Sequence, residues 1–232
     1  MATVGEIRKQ VQFYLQSTAM SEGQTDIFML ELNSARVKAE RFHDFAESLQ
    51  TTSVSVSPTA GADLATATYQ SGHRFKALVD VFLTVGGVSK PLDVVVKHGN
   101  TIEKRDQERR RRWSYTEASE NLAEIPSRSP RILLEGRYIY LDPAPSAATD
   151  VDFKAFTWYP NYTNDDDEDW FTQNGADYLK WTTIVSLNHH FQVFVQRQEG
   201  SLSPPERAAN DALEALVRLD GFTPYLSSTF QP

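Results

Sequence analysis

The stretch that most constrains this chain runs from Trp170 to Asp220, where apolar patterning is densest and helix signals are clearest. In its first part Tyr178, Leu179, Trp181, Ile184, Val185, Leu187, Phe191, Phe194 and Val195 leave few consecutive solvated positions. A helix of that composition must be covered on more than one side, so it is a core helix. A second helix is announced by Ser203-Pro204-Pro205-Glu206. There proline suits the first helical position, and Ser203 and Glu206 can satisfy each other's free backbone N–H groups. Ala209, Ala212, Leu213, Leu216 and Leu219 then repeat at helical spacing, Glu214 and Arg218 pair across one turn, and Gly221 ends the run.

Such a pair needs helical partners, and the N-terminal region offers them. Thr3 and Glu6 form a capping box before the stripe Val4, Ile7, Val11 and Leu15. After a polar break, the spacing predicts a helix from a cap at Thr25 to about Gln50, with Phe28, Leu32, Ala35, Ala39, Phe42, Ala46 and Leu49 on one face. At a rise of ~1.5 Å per residue it would be on the order of 37 Å long.

Between these helices the chemistry turns to β. Thr51–Gln70 is rich in Thr, Val and Ser around a turn at Pro58 to Ala62 and reads as a polar, exposed hairpin or arm. Leu78–Val85 and Val88–Lys97 flank Gly86-Gly87, the two-residue loop expected of a hairpin. A second hairpin spans Arg131–Leu141 across Glu135-Gly136, and Val151–Tyr159 adds a strand with Val151, Phe153, Ala155 and Thr157 on one face. The fold expected from the residues is therefore α+β: an antiparallel helical bundle of the N-terminal helices plus the C-terminal helical pair (1–50 and 163–220), with an inserted antiparallel β module (51–162) that holds a basic helix near 100–112. An extended C-terminal arm, 221–232, has two prolines and several aromatics without a period.

Composition removes several functions. The 232 residues include no cysteine, so disulfide frameworks, thiolate metal sites and cysteine nucleophiles are excluded. No apolar run approaches the roughly 18 residues of a membrane span, and the N-terminal segment lacks the apolar core of a signal peptide. The expectation is a protein made in the cytoplasm with no membrane partner. A net charge of -8 disfavours wholesale wrapping of nucleic acid. No Gly-x-Ser-x-Gly, His-Glu-x-x-His or Walker-type lysine loop is present, no catalytic constellation can be named, and the chain is expected to be neither an enzyme nor a carrier of cofactor or metal. Adjacent His189 and His190 point about 100° apart on a helix and cannot readily share one ion.

Local chemistry singles out two other stretches. Lys104, Arg105, Arg109, Arg110, Arg111 and Arg112 put six cations within nine residues, interleaved with Asp106 and Glu108. They suit contact with phosphate or with an acidic protein surface, and equally a solvated helix face with internal ion pairs. Asp165-Asp166-Asp167-Glu168-Asp169 precedes the core helix, where negative charge favours the positive end of its dipole; the spacing is not that of a calcium loop.

Taken in order, several short motifs resemble those of the head-to-tail connector (adaptor, head-completion or neck) proteins of tailed bacteriophages. They are Leu32-Asn33-Ser34-Ala35, Lys90-Pro91-Leu92 after a glycine turn, the hairpin ending Tyr138-Ile139-Tyr140-Leu141-Asp142-Pro143-Ala144-Pro145, and Trp158-Tyr159-Pro160. Most specific is the close: Asp169-Trp170-Phe171, Asp177-Tyr178-Leu179, then a helical pair ending on Glu206-Arg207-Ala208 and Ala212-Leu213-Glu214-Ala215-Leu216. The resemblance implies a structural virion protein located in the neck between capsid and tail. There copies form a ring, a dodecamer, below the portal protein and extend the DNA channel toward tail or neck proteins. By that resemblance the C-terminal arm, with Phe222, Pro224, Tyr225, Leu226 and Phe230, docks on the portal. Genomic DNA passes through the lumen without sequence-specific binding. Two alternatives are a phage peptidoglycan-degrading neck protein and a DNA-binding protein acting through the Lys104–Arg112 helix.

Overall fold

A computed structural model of the chain describes residues 2–15, 22–70, 72–85, 88–98, 101–102, 130–191 and 203–221. It divides into two compact units, Met1–Ser48 with Pro160–Pro232, and Leu49–Tyr159.

The helical unit contains α1 (Val4–Tyr14), α2 (Glu22–Phe42), α3 (Trp170–Asn174), α4 (Ala176–Phe191) and α5 (Pro204–Asp220). The other four all touch α4. Tyr178, Leu179, Ile184 and Leu187 of α4 are buried, and from Ala176 through Asn188 Asp177 alone is exposed. Capping follows residue chemistry: Glu6 N–H donates to Thr3 Oγ1 at 3.2 Å, and Ser203 N–H donates to Glu206 Oε2 at 2.7 Å. The long helix stops earlier than its apolar spacing predicts. Phe28, Leu32, Ala35 and Ala39 are buried, but Phe42 closes α2 and is exposed. Beyond it Ala46 N–H donates to Asp220 Oδ1 at 3.0 Å, and Leu49 pairs with Phe156 in a sheet. These groups are satisfied by partners far along the chain, so α2 has no call on them.

The second unit is a single sheet of β1 (Leu49–Val56), β2 (Ala62–Asp63), β3 (Arg74–Val85), β4 (Val88–His98), β6 (Arg131–Glu135), β7 (Tyr138–Asp142) and β8 (Thr149–Trp158). Its order is β1-β8-β3-β4-β6-β7-β2, with the short β5 (Thr101–Ile102) paired to β4. The expectation of an antiparallel helical bundle with an inserted antiparallel β module is overturned: the fold is α+β with five helices among the described residues and a mixed seven-stranded sheet that nearly closes as a barrel. Two features separate it from a set of hairpins. Asp93–Val96 of β4 runs parallel to Arg131–Leu134 of β6, which joins the two hairpins edge to edge. Register shifts in β3, between Phe75 and Ala77 and between Leu78 and Asp80, bend the sheet where it meets β8.

The polar stretch after Gln50 is no free arm. All eight residues of β1 pair with β8, from Leu49 with Phe156 to Val56 with Thr149. The following residues cover the other edge of β1: Gln70 N–H donates to Gln50 Oε1 at 2.9 Å, and Thr52 Oγ1 donates to the Thr68 carbonyl at 2.8 Å. Thr52 as donor and Gln50 as acceptor therefore help close this edge. Inside, Val56, Leu64, Ile132, Ile139, Val151 and Phe153 are wholly buried, and strand alternation turns their neighbours outward. Residues 103–129 and 222–232, which include the expected basic helix and C-terminal arm, lie outside the described residues.

Two glycines in this sheet separate backbone strain from steric exclusion. Gly61 (φ +66°) and Gly136 (φ +61°) both take the left-handed conformation. A Cβ at Gly136 meets open space, whereas one at Gly61 falls 2.4 Å from the Ile139 carbonyl oxygen and 2.6 Å from the Tyr140 ring. Gly136→Ala is expected to cost about 1–2 kcal/mol and Gly61→Ala roughly 3 kcal/mol or more in urea unfolding. Equal losses would show that the Gly61 contact is not rigid.

Candidate assembly surface of the helical unit

Residues from four of the motifs, Asn33, Ala35, Pro160, Asp169 and Tyr178, meet in or around one loop, 160–169, while the Lys90–Leu92 and Tyr138–Pro145 motifs lie in the sheet unit. Asn33 on α2 grips its backbone from both sides: Tyr162 N–H donates to Asn33 Oδ1 at 2.8 Å, and Asn33 Nδ2 donates to the Tyr162 carbonyl at 3.0 Å. One turn on, Arg36 is fully buried. Its Nη1 donates to the Pro160 carbonyl, its Nη2 to Asn161 Oδ1 at 3.1 Å, and its guanidinium lies 4.9 Å from the centre of the Tyr162 ring. Glu40 completes the ion pair, 3.6 Å from Arg36 Nε. Tyr178 Oη donates to the Ala35 carbonyl at 3.0 Å, which ties α4 to the same turn of α2.

The acidic run ends this loop, and its members alternate. Asp165 pairs with Arg8, and its carbonyl accepts from Gly5 N–H at 2.8 Å. Asp167 Oδ2 accepts from Thr163 N–H at 2.6 Å and Asn164 N–H at 2.8 Å, while its carbonyl accepts from Val4 N–H at 3.2 Å. Asp169 caps α3, accepting from Thr172 N–H at 2.9 Å, and also takes the Tyr162 hydroxyl at 2.8 Å. Asp166 and Glu168 between them are exposed. Burial raises the Asp169 carboxyl above the ordinary value, with the Thr172 and Tyr162 hydrogen bonds and the Arg36 charge only partly offsetting it. At Asp167 burial is outweighed by the hydrogen bonds from Thr163 and Asn164, and the carboxyl sits below its ordinary value. Burial, then the Asp169 charge, pushes the Tyr162 hydroxyl well above the usual tyrosine range.

A second feature occupies the other end of α1. Lys9, Gln10, Phe13 and Tyr14 line a shallow cup of about 390 Å³ together with Lys180 and Trp181 of α4. Tyr14 and Trp181 meet edge to face at 5.0 Å, and Lys180 Nζ lies 4.8 Å from the centre of the Trp181 ring. Phe13 is 86% exposed, off the buried stripe of Val4, Ile7 and Val11. An aromatic this exposed beside a walled cup marks an interaction surface more readily than a lone surface residue does.

Of the residues singled out by sequence, Phe222, Pro224, Tyr225, Leu226 and Phe230 and the cations Lys104, Arg105 and Arg109 to Arg112 lie outside the described residues. Sequence reasoning missed Arg36 and Glu40, although a charged i,i+4 pair beside the buried stripe of α2 is their signal. It also counted Trp181 as plain core. Phe13, out of phase with its helix, was the available clue. Among the described residues no three potential metal ligands cluster, and no helix is long and apolar enough to cross a membrane. Comparison with known protein families and with curated proteins finds no match to this chain.

Asp169→Ala removes a cap and strands the buried Tyr162 hydroxyl, and is expected to cost about 3 kcal/mol in urea unfolding. Asp169→Asn keeps an acceptor and should cost much less; equal losses would show that the charge, and not the acceptor, matters.

The two carboxyls also predict opposite pH effects. Asp167, lowered from 3.8, adds stability that is present above that value and lost as pH falls through the folded-state value. Asp169, raised from 3.8, costs stability once pH exceeds its folded-state value, and that cost vanishes as pH falls below 3.8. Melting temperatures across acid pH should therefore decline less steeply for Asp167→Asn than for the wild type, and more steeply for Asp169→Asn. Parallel curves for all three proteins would refute both assignments.

Proposed function

We propose that this chain is a head-to-tail adaptor, a structural virion protein whose copies form a ring below the portal and carry the DNA channel toward the tail. The observation that supports it most is where the motif residues fall. Asn33, Ala35, Pro160, Asp169 and Tyr178, drawn from four separate motifs, bond within or around one loop of the helical unit. Residues with a shared structural task are the ones whose order along a chain is constrained by fold. The reading rests on that order; the helical bundle with a β module that the resemblance also implied is overturned by the structure and is no part of it.

Chemistry agrees with such a role. A net charge of -8 suits a surface past which DNA must slide, because each phosphate contact would add affinity that passage has to break. Ring closure requires two different faces on each copy. In this reading Phe222, Pro224, Tyr225, Leu226 and Phe230 supply an apolar segment for the portal.

Co-expression with the portal protein encoded nearby, followed by mass determination and negative-stain imaging, tests the proposal. The expected product is a stacked ring of portal and adaptor, lost when residues 222–232 are deleted while the circular dichroism of the free chain is unchanged. A folded portal that never copurifies with the full chain overturns the adaptor reading. Undiminished capture of the truncated chain overturns the role of its C-terminal residues.

A further inference from the structure

Two exposed features of the helical unit lie along α1, the loop 160–169 at its N-terminal end and the cup over its C-terminal half. At its N-terminal end the loop 160–169 is held by Gly5 N–H, Val4 N–H and Arg8, and presents the exposed carboxylates of Asp166 and Glu168. Four residues along from Gly5, about 6 Å at the helical rise, the cup begins at Lys9, and it reaches Phe13 another four residues on, with Lys180 across from them. One surface is acidic and the other is apolar with a basic rim.

We propose that these surfaces bind each other between copies of this chain: the 160–168 loop of one copy seats on the cup of the next, with Asp166 and Glu168 facing Lys9 and Lys180. This rests on the adaptor reading and names the contact between neighbours in its ring. Three observations select a second copy as the occupant. Charges are complementary: two exposed carboxylates meet the exposed Lys9 and, behind it, the largely covered Lys180, whose ammonium also pairs with Asp177 on its own helix at 2.5 Å. The loop is rigid before contact, because Asp165, Asp167 and Asp169 spend their oxygens on its own backbone and on Arg8 and Tyr162. Docking it therefore costs little ordering entropy. Its exposed surface also includes Pro160, an apolar ring suited to lie against Phe13.

Met between successive copies, two different faces give a heterologous contact that repeats in one direction and closes into a ring when the rotation allows; met reciprocally within one pair, they give an isologous dimer. Association that continues past two copies in sedimentation is the heterologous outcome expected here, and a closed dimer overturns it. Rim charges of this kind set register and encounter rate, while burial of Phe13 supplies the apolar part.

The test is charge exchange on the full chain, read by sedimentation over a range of protein and salt concentration. Wild type should self-associate, more weakly as salt rises. Lys9→Glu with Lys180→Glu, and separately Asp166→Lys with Glu168→Lys, should each weaken association about tenfold or more. A chain carrying all four changes should recover most of it. Phe13→Ala, at a site too exposed to disturb the fold, should weaken association without changing its salt dependence. A wild-type chain that stays monomeric at its solubility limit overturns the proposal, as does a four-fold variant no better than its parents. The ring is judged separately by imaging. Closed rings indifferent to all these changes keep the adaptor reading and overturn this contact. Open filaments that show charge-exchange rescue keep the contact and overturn the ring.

Discussion

The helical unit depends on a polar clasp between α2 and the loop 160–169. Asn33 pairs with the Tyr162 backbone as a strand would, and the buried Arg36 guanidinium bonds to Pro160 and Asn161 while facing the Tyr162 ring. Burying a guanidinium is unfavourable unless its donors are met in fixed geometry, and a planar fork can meet several acceptors at once where an ammonium cannot. The clasp joins residues more than a hundred positions apart in sequence, so it selects one packing of α1 and α2 against α3, α4 and α5. Apolar faces alone would tolerate several rotations of α2. Two hydrogen bonds from the Asn33 amide and a guanidinium fork tolerate one.

The same loop shows how one composition yields different physics at neighbouring positions. Five acids in a row look uniform in sequence, yet Asp165, Asp167 and Asp169 turn to backbone donors, Arg8 and Tyr162, while Asp166 and Glu168 face solvent. Asp167 gains more from its hydrogen bonds than burial costs it, and Asp169 gains less. An acidic run can therefore be a set of caps and ties whose surplus charge is presented outward on a rigid frame.

What could be read from the residues was local. Capping at Thr3 and Ser203, the enclosure of α4, and the paired strands on either side of Gly86-Gly87 and Glu135-Gly136 all follow from neighbours within a few positions. What could not be read was long-range. Parallel pairing of β4 with β6 leaves no mark in either strand, since Val94–Val96 and Ile132–Leu134 would serve an antiparallel partner equally well. The early end of α2 arises because Asp220 and Phe156, far along the chain, claim the residues after Phe42. Alternating Ser and Thr in β1 suggested an exposed arm because its outward side chains are polar. The bonds of Thr52 to the Thr68 carbonyl and of Gln50 to Gln70 N–H become visible only once the edge is closed. For the candidate surface the legible clue was Phe13, out of phase with its own helix. The cup beside it needed α4 in place.

The pairing of β1 with β8 has a consequence in time. Leu49 meets Phe156, so β1 leaves the ribosome long before its partner exists. At synthesis rates of about 5–20 residues per second, that interval is on the order of 5–20 s, during which its backbone donors and acceptors have no ladder to join. An apolar strand waiting that long would recruit any other exposed edge. Gln50, Thr51, Thr52, Ser53 and Ser55 instead keep the waiting segment hydrated. The polarity of β1 thus serves the nascent chain as much as the finished sheet, as a strand made to be late.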